Sequence, residues 1–151
     1  MKIRSLRRST DETTDDGSGV DFCVLGGGPV AAAIARSLHA DGHLVTAVDE
    51  GSDGAADHRV VRGDPTDLQQ LAAADIGDGS TVIVATPRDE RNLLLAQLVR
   101  THFGVADVVV RVNDPDRHDV VAAAGHDPFC VSTALSTALV DELTRPVREN
   151  A

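Results

Sequence analysis

The stretch Leu25-Gly26-Gly27-Gly28-Pro29-Val30-Ala31 constrains what this chain can fold into more than any other feature. Val20 to Leu25, apolar but for Asp21, precedes it and reads as a strand. The segment that follows, Pro29 to Ala40, places Ala31, Ile34, Ala35 and Leu38 at i, i+3, i+4 and i+7, the spacing of one buried helix face. The turn between them fits G-x-G-x-x-A through Gly26, Gly28 and Ala31. Gly26 permits the tight turn, Gly28 lets backbone approach a pyrophosphate, and a small residue at 31 lets helix pack closely on strand. The helix N-terminus then offers N–H groups and a positive dipole end to a phosphate.

The rest of the chain continues the alternation. Leu44 to Val48 predicts a second strand, Gly51 to His58 a Gly-rich acidic loop, and Arg59 to Val61 a short third strand. Asp64-Pro65, Thr86-Pro87 and Asp114-Pro115 each set a capping side chain before a proline, so helices are expected over 65–74, 87–102 and 115–124. Gly104 and Gly125 stand where the last two should end. Strands fill the gaps at Thr81 to Ala85, Asp107 to Arg111 and Pro128 to Val131, and a final helix runs from Thr133 to Leu143. Runs such as Thr81-Val-Ile-Val-Ala85 are continuously apolar, as strands are when helices cover both faces of a sheet. The expected fold is α/β: a doubly wound parallel sheet, a Rossmann fold with six strands in order 3-2-1-4-5-6. Residues 1–18 read as a disordered tail, 19–145 as the single domain and 146–151 as a second tail.

Asp49 closes the second strand, 23 residues after Gly26. An acid at about this distance, roughly 20 residues on, accepts hydrogen bonds from a ribose hydroxyl and repels a 2′-phosphate. This favours NAD over NADP but does not separate NAD from AMP, ADP or ATP. Pro29 has no N–H, so the phosphate loop has one donor fewer than usual, while Val30 can still donate.

Composition removes other classes. With 24 Asp+Glu against 14 Lys+Arg, the formal charge is -10, the wrong sign for a nucleic-acid binder. Aromatic residues are 2% and Trp and Tyr are absent, which leaves no base-stacking platform. No apolar run reaches the roughly 18–20 residues of a membrane span. Lys2 is the only lysine and Asp dominates the acids, a balance suited to a salt-rich cytosol. Arg7-Arg8 is followed by polar and acidic residues rather than an apolar core, so no signal peptide is expected and the chain reads as cytoplasmic. Cys23 and Cys130 lie in apolar contexts without CxxC spacing and read as buried structural thiols, and the six His residues form no metal-ligand pattern.

Five stretches taken together resemble the nucleotide-binding N-domain of regulators of potassium conductance, the RCK, KTN or TrkA-N group. They are VLGGGPVAAAIARSL (24–38), TAVDE (46–50), VVRGDPTDLQQLAAADI (60–76), STVIVATPRDERNLLLAQLVR (80–100) and VVVRVNDPDRHDVVAAAGHD (108–127). The resemblance covers residues 20–144 and implies a regulatory domain of a Trk or Ktr potassium transporter or a potassium channel, binding NAD(H) or an adenine nucleotide (ATP, ADP or AMP). Carried over by position, Gly26, Gly28 and Val30, with Pro29 between them, would hold phosphates. Asp49, beside Glu50, would hold the adenosine ribose. Asp64 and Thr66 match the adenine-end motif, and Ala85 and Thr86 face the ligand from the fourth strand. Arg111 matches an arginine ending the fifth strand, where an ion pair with a carboxylate is an equal alternative. The family often has a basic residue in the glycine loop and a helix between strands two and three, and this chain has neither. The implied setting is cytoplasmic, docked on a membrane transporter as a homodimer or higher oligomer.

An oxidoreductase would need a substrate half beside its cofactor half, and the six strands with their helices use the whole of 20–144. No catalytic residue is therefore assigned. One enzyme rival remains: residues 24–48 also resemble the NAD domain of siroheme synthases, which share a Thr and an Asn after strand four, here Thr86 and Asn92. A third reading is a Rossmann remnant that serves only as an interaction module. The final helix, with Leu135, Leu139 and Leu143 on one face, is either a dimer contact or a cover for its own sheet.

Overall fold

The computed structural model describes residues 19–51 and 56–146. The tails expected at 1–18 and beyond 146, and the middle of the 51–58 loop, lie outside the described residues. Elements follow in the order β1 (Phe22–Leu25), α1 (Pro29–Ala40), β2 (Val45–Asp49), β3 (Arg59–Arg62), α2 (Leu68–Ala72), β4 (Thr81–Val84), α3 (Asp89–Phe103), β5 (Asp107–Val112), a 3-10 turn (Pro115–Arg117), α4 (His118–Ala123), β6 (Asp127–Cys130) and α5 (Val131–Thr144).

The six strands form one sheet, β3-β2-β1-β4-β5-β6, and every pairing is parallel. Leu25, the last residue of β1, stands level with Val48 on one side and Val84 on the other. The chain order reverses at β1, so the connections leaving β1 and β4 run to α1 and α3 on opposite faces of the sheet and leave a crevice at the carboxyl ends.

Alternate side chains feed two core layers. Cys23, Leu25, Val48, Val82 and Val84 pack with Leu71 of α2, Leu95 and Val99 of α3 and Val121 of α4. Phe22, Val24, Val45 and Ala47 pack with Ala31 and Ala35 of α1, with Ile34 and Leu38 at the margin. All four β1 side chains are buried, which is why that strand shows no polar alternation. The alanines at 31 and 35 let α1 lie close on β1 and β2.

Helix ends follow local chemistry. Pro29 occupies the first turn of α1 after Gly28. α3 carries Asp89 and Glu90 in its first turn and Arg100 and His102 in its last, matching the macrodipole, and ends on Gly104 at φ 66. Two of the three expected proline-marked starts differ. α2 begins at 68 because Asp67, not Asp64, caps it by accepting from Gln69 N. Asp64 instead closes a local turn on Thr66 N, so Pro65 lies in that turn rather than in the helix. α3 begins at 89 because the Thr86 side chain is engaged with Asn92. Asp114 does cap, accepting from Asp116 N, and its helix opens as a 3-10 turn. Among the described residues no helix separates β2 from β3. α5 buries none of its side chains, so Leu135, Leu139, Val140 and Leu143 stand exposed rather than covering the sheet.

Candidate functional site

The crevice at the carboxyl ends of β1 and β4 is a cleft of about 370 Å³. Its walls come from the glycine turn, the β2 end with Asp49, Glu50 and Gly51, Pro65, and the β4–α3 corner with Thr86, Pro87, Arg88 and Arg91.

The glycine turn is held by backbone. Gly26 adopts φ 141 and packs so closely that a Cβ there would lie 3.0 Å from the Ala85 carbonyl carbon and oxygen. Gly28 adopts φ 93 with open space where its Cβ would be, so it keeps the loop surface clear. Gly27 matters too: a Cβ at 27 would meet Asp49 Oδ1 at 2.8 Å. The bare glycine lets the carboxylate lie against the loop. Asp49 Oδ1 accepts from Gly51 N at 2.9 Å, and among the described residues Oδ2 has no hydrogen-bond partner, so that oxygen is available to accept from a ligand hydroxyl.

The opposite wall is a buried polar network. Asn92, fully buried on α3, accepts from Thr86 N at 3.0 Å and donates to Thr86 O at 2.9 Å and Arg111 O at 3.0 Å. The Thr86 hydroxyl donates to Asn92 Oδ1 and accepts from Arg88 N at 3.2 Å. Asp89 accepts from Asn113 N and Asp114 N, tying the β5 end to the same corner. The Asn92 side chain therefore shapes the β4–α3 turn rather than presenting itself to the cleft.

Charge is polarised across the opening. Arg91 reaches Asp64 Oδ1 at 3.2 Å and Glu50 Oε2 at 3.4 Å, bridging the β2 end to the turn after β3. The N–H and hydroxyl of Thr66, with Arg91 beside them, hold the Asp64 carboxyl below the usual carboxylate range.

Of the residues singled out in the sequence, Gly26, Gly28, Asp49, Glu50 and Thr86 line the cleft. Pro29 and Val30 follow on the exposed start of α1. Asp64 and Thr66 are turned on each other, Thr66 Oγ1 donating to Asp64 Oδ1 at 2.8 Å, and the wall there is Pro65. Ala85 is buried, offering only its carbonyl beneath Gly26. Arg111 does not line the cleft. Its Nε donates to Asn113 Oδ1 at 2.7 Å, an amide where a carboxylate was the alternative. Gly27, Arg88 and Arg91 escaped sequence reasoning. The signal for the arginines was their i, i+3 spacing on the first turn of a helix that starts at the crevice.

The thiols differ in chemistry. Burial pushes Cys23 up to about 12. Cys130, at the start of α5, sits at about 7, lowered by the Ser132 hydroxyl and then by the Thr133 N–H. Among the described residues no group of three or more His, Cys, Asp or Glu is placed to hold a metal ion. No described helix is long and apolar enough to cross a membrane.

The model of the TrkA-N domain family matches residues 22–131. The chain is 31% identical over 130 residues to a Trk system potassium uptake protein TrkA homolog of Methanothermobacter thermautotrophicus, covering 82% of this chain and 60% of that protein. The chain thus spans less than two thirds of that relative. Its backbone is similar to the NAD(P)-binding domain of an exopolyphosphatase-related protein from Archaeoglobus fulgidus, with TM-score 0.72, 24% identity and coverage of 84% and 99% of the two chains. It is also similar to GsuK in a structure bound to ADP, with TM-score 0.66, 27% identity and coverage of 82% and 34%.

Proposed function

The chain belongs to the TrkA-N domain family, and from that premise we propose that it is a nucleotide-binding regulatory unit of a potassium transporter or channel. The observation that carries this reading is the Asp49 carboxylate set against a triple-glycine turn at the crevice between β1 and β4. Asp49 Oδ2 accepts from the ribose of NAD(H) or of an adenine nucleotide. The open backbone at Gly28 and the N–H of Val30 receive the phosphates, with Gly26 making the tight turn beneath them. Glu50, fixed by Arg91, completes the acidic end. The ADP held by the related GsuK structure and the potassium-uptake relative support the ligand class and the setting.

Regulation follows from differential binding. A ligand shifts the relation of two protomers only as far as it prefers one arrangement over the other. The exposed apolar face of α5 is where a second protomer packs, and a transporter at the inner face of the membrane receives the output by surface contact. The chain's own groups bind and orient, and no catalytic role is assigned to any of them.

The test is a thermal-shift series with NADH, NAD, ATP, ADP and AMP, with mass spectrometry of nucleotide that co-purifies. A ligand at a hundredfold excess over its Kd stabilises by about 2.7 kcal/mol. Asp49→Ala should abolish the shift while costing the unliganded chain no more than the one exposed bond to Gly51 N. No shift with any nucleotide would leave an interaction module instead, and turnover of an added substrate would make it an enzyme.

A further inference from the structure

We infer that Arg88 reads the second phosphate of the ligand, so that this cleft selects adenosine carrying a pyrophosphate over adenosine monophosphate. The inference rests on the nucleotide-binding reading above and adds a residue and a ligand class to it.

Sheet order supplies the first argument. Across the crevice the walls run from the β2 end with Asp49, through the glycine turn after β1, to the β4–α3 corner. A ribose on Asp49 puts its first phosphate at the glycine turn. A second phosphate continues in the same direction and arrives at Thr86-Pro87-Arg88.

Charge supplies the second. The turn from Leu25 to Ala31 has no cationic side chain, and Pro29 has no N–H to donate. Among the described residues two cations line the cleft, Arg88 and Arg91. Arg91 is already shared between Glu50 and Asp64. The Arg88 guanidinium has no hydrogen-bond or ion-pair partner among the described residues, although its backbone N–H is fixed to Thr86 Oγ1 at 3.2 Å. Its root is thus held by the Thr86–Asn92 network while its fork is uncommitted, and a guanidinium fork matches phosphate oxygens. A monophosphate ends before reaching it.

Titration calorimetry with adenosine, AMP and ADP on the unaltered chain, Arg88→Ala and Arg88→Lys tests this. The unaltered chain should bind ADP more tightly than AMP by about tenfold, the scale of one charge-assisted contact. Arg88→Ala should bring ADP down to the AMP value and leave adenosine unchanged, and Arg88→Lys should recover part of the loss. Raising KCl should weaken ADP more than adenosine. Equal loss for all three ligands, or no loss for ADP, overturns the assignment of Arg88 while leaving the cleft a nucleotide site. Failure of the unaltered chain to bind any of them overturns the nucleotide reading itself, and the role of Arg88 with it.

Discussion

Asn92 is the side chain on which the far wall of the cleft depends, and its removal has a cost that can be worked out group by group. In Asn92→Ala the Thr86 N–H loses its acceptor. The Thr86 hydroxyl can turn to Arg88 O, 3.2 Å away, and Thr86 O keeps a bond from Asn113 Nδ2 at 3.3 Å. Arg111 O loses a donor. One buried N–H left unsatisfied costs about 1–3 kcal/mol, and each bond lost between otherwise paired groups about 1 kcal/mol. With the bonds to Thr86 O and Arg111 O both gone, the sum is about 3–5 kcal/mol, a large part of the roughly 5–15 kcal/mol that holds a domain together. Asn92→Asp separates the two halves of the network. Its carboxylate still accepts from Thr86 N, but it sets a second anionic oxygen against the carbonyls of Thr86 and Arg111. Burial beside acceptors raises the pKa of such a carboxyl, so the variant's penalty should be small at low pH and grow as pH rises through the unfolded value of about 3.9. Urea unfolding followed by circular dichroism checks both, with an unchanged m-value as the sign that only stability has moved. A loss under about 1 kcal/mol in Asn92→Ala, below the cost of one unsatisfied buried group, would refute the reasoning. So would an Asn92→Asp penalty that does not vary with pH.

Two further outcomes follow from the geometry. Gly26→Ala should lower the melting temperature far more than Gly28→Ala, because both hold positive φ but only position 26 meets backbone, the Ala85 carbonyl at 3.0 Å; similar losses measured by differential scanning fluorimetry would contradict this. His126 is kept neutral by burial and by Arg100, whose Nη1 lies 3.2 Å from its Nδ1, with Gln97 at Nε2 and Asp127 opposing the shift. Its folded pKa is depressed, so the unfolded chain takes up the proton first and stability should fall as pH drops below about 6.5. Unfolding curves at several pH values should show His126→Gln with a flatter slope there than the unaltered chain, and an identical slope would remove His126 as the cause.

Order and type of the elements were legible because two signals coincide along this chain. Apolar runs of three or four residues, 22–25, 82–85 and 108–110, mark β1, β4 and β5, and glycine or proline punctuates the chain between elements. The start of α2 was not legible, because Asp64 and Asp67 are both competent caps three residues apart. Choosing between them requires knowing that Leu71 and Ala74 must reach the core, while Pro65 favoured the earlier start. The same limit governs the site. Gly26, Gly28 and Asp49 announce themselves through a spacing tied to one backbone shape. Arg91 does not, since its partners Asp64 and Glu50 lie 27 and 41 residues away and meet it only once β2, β3 and α3 converge. Arg111 shows the same limit: the end of β5 suggested a ligand contact or an ion pair equally, and its Nε lies on the amide of Asn113. Backbone requirements are local and can be read from sequence. Where a guanidinium goes is decided by competition among acceptors that only the folded sheet brings within reach, so the charge complement of this cleft had to come from the structure.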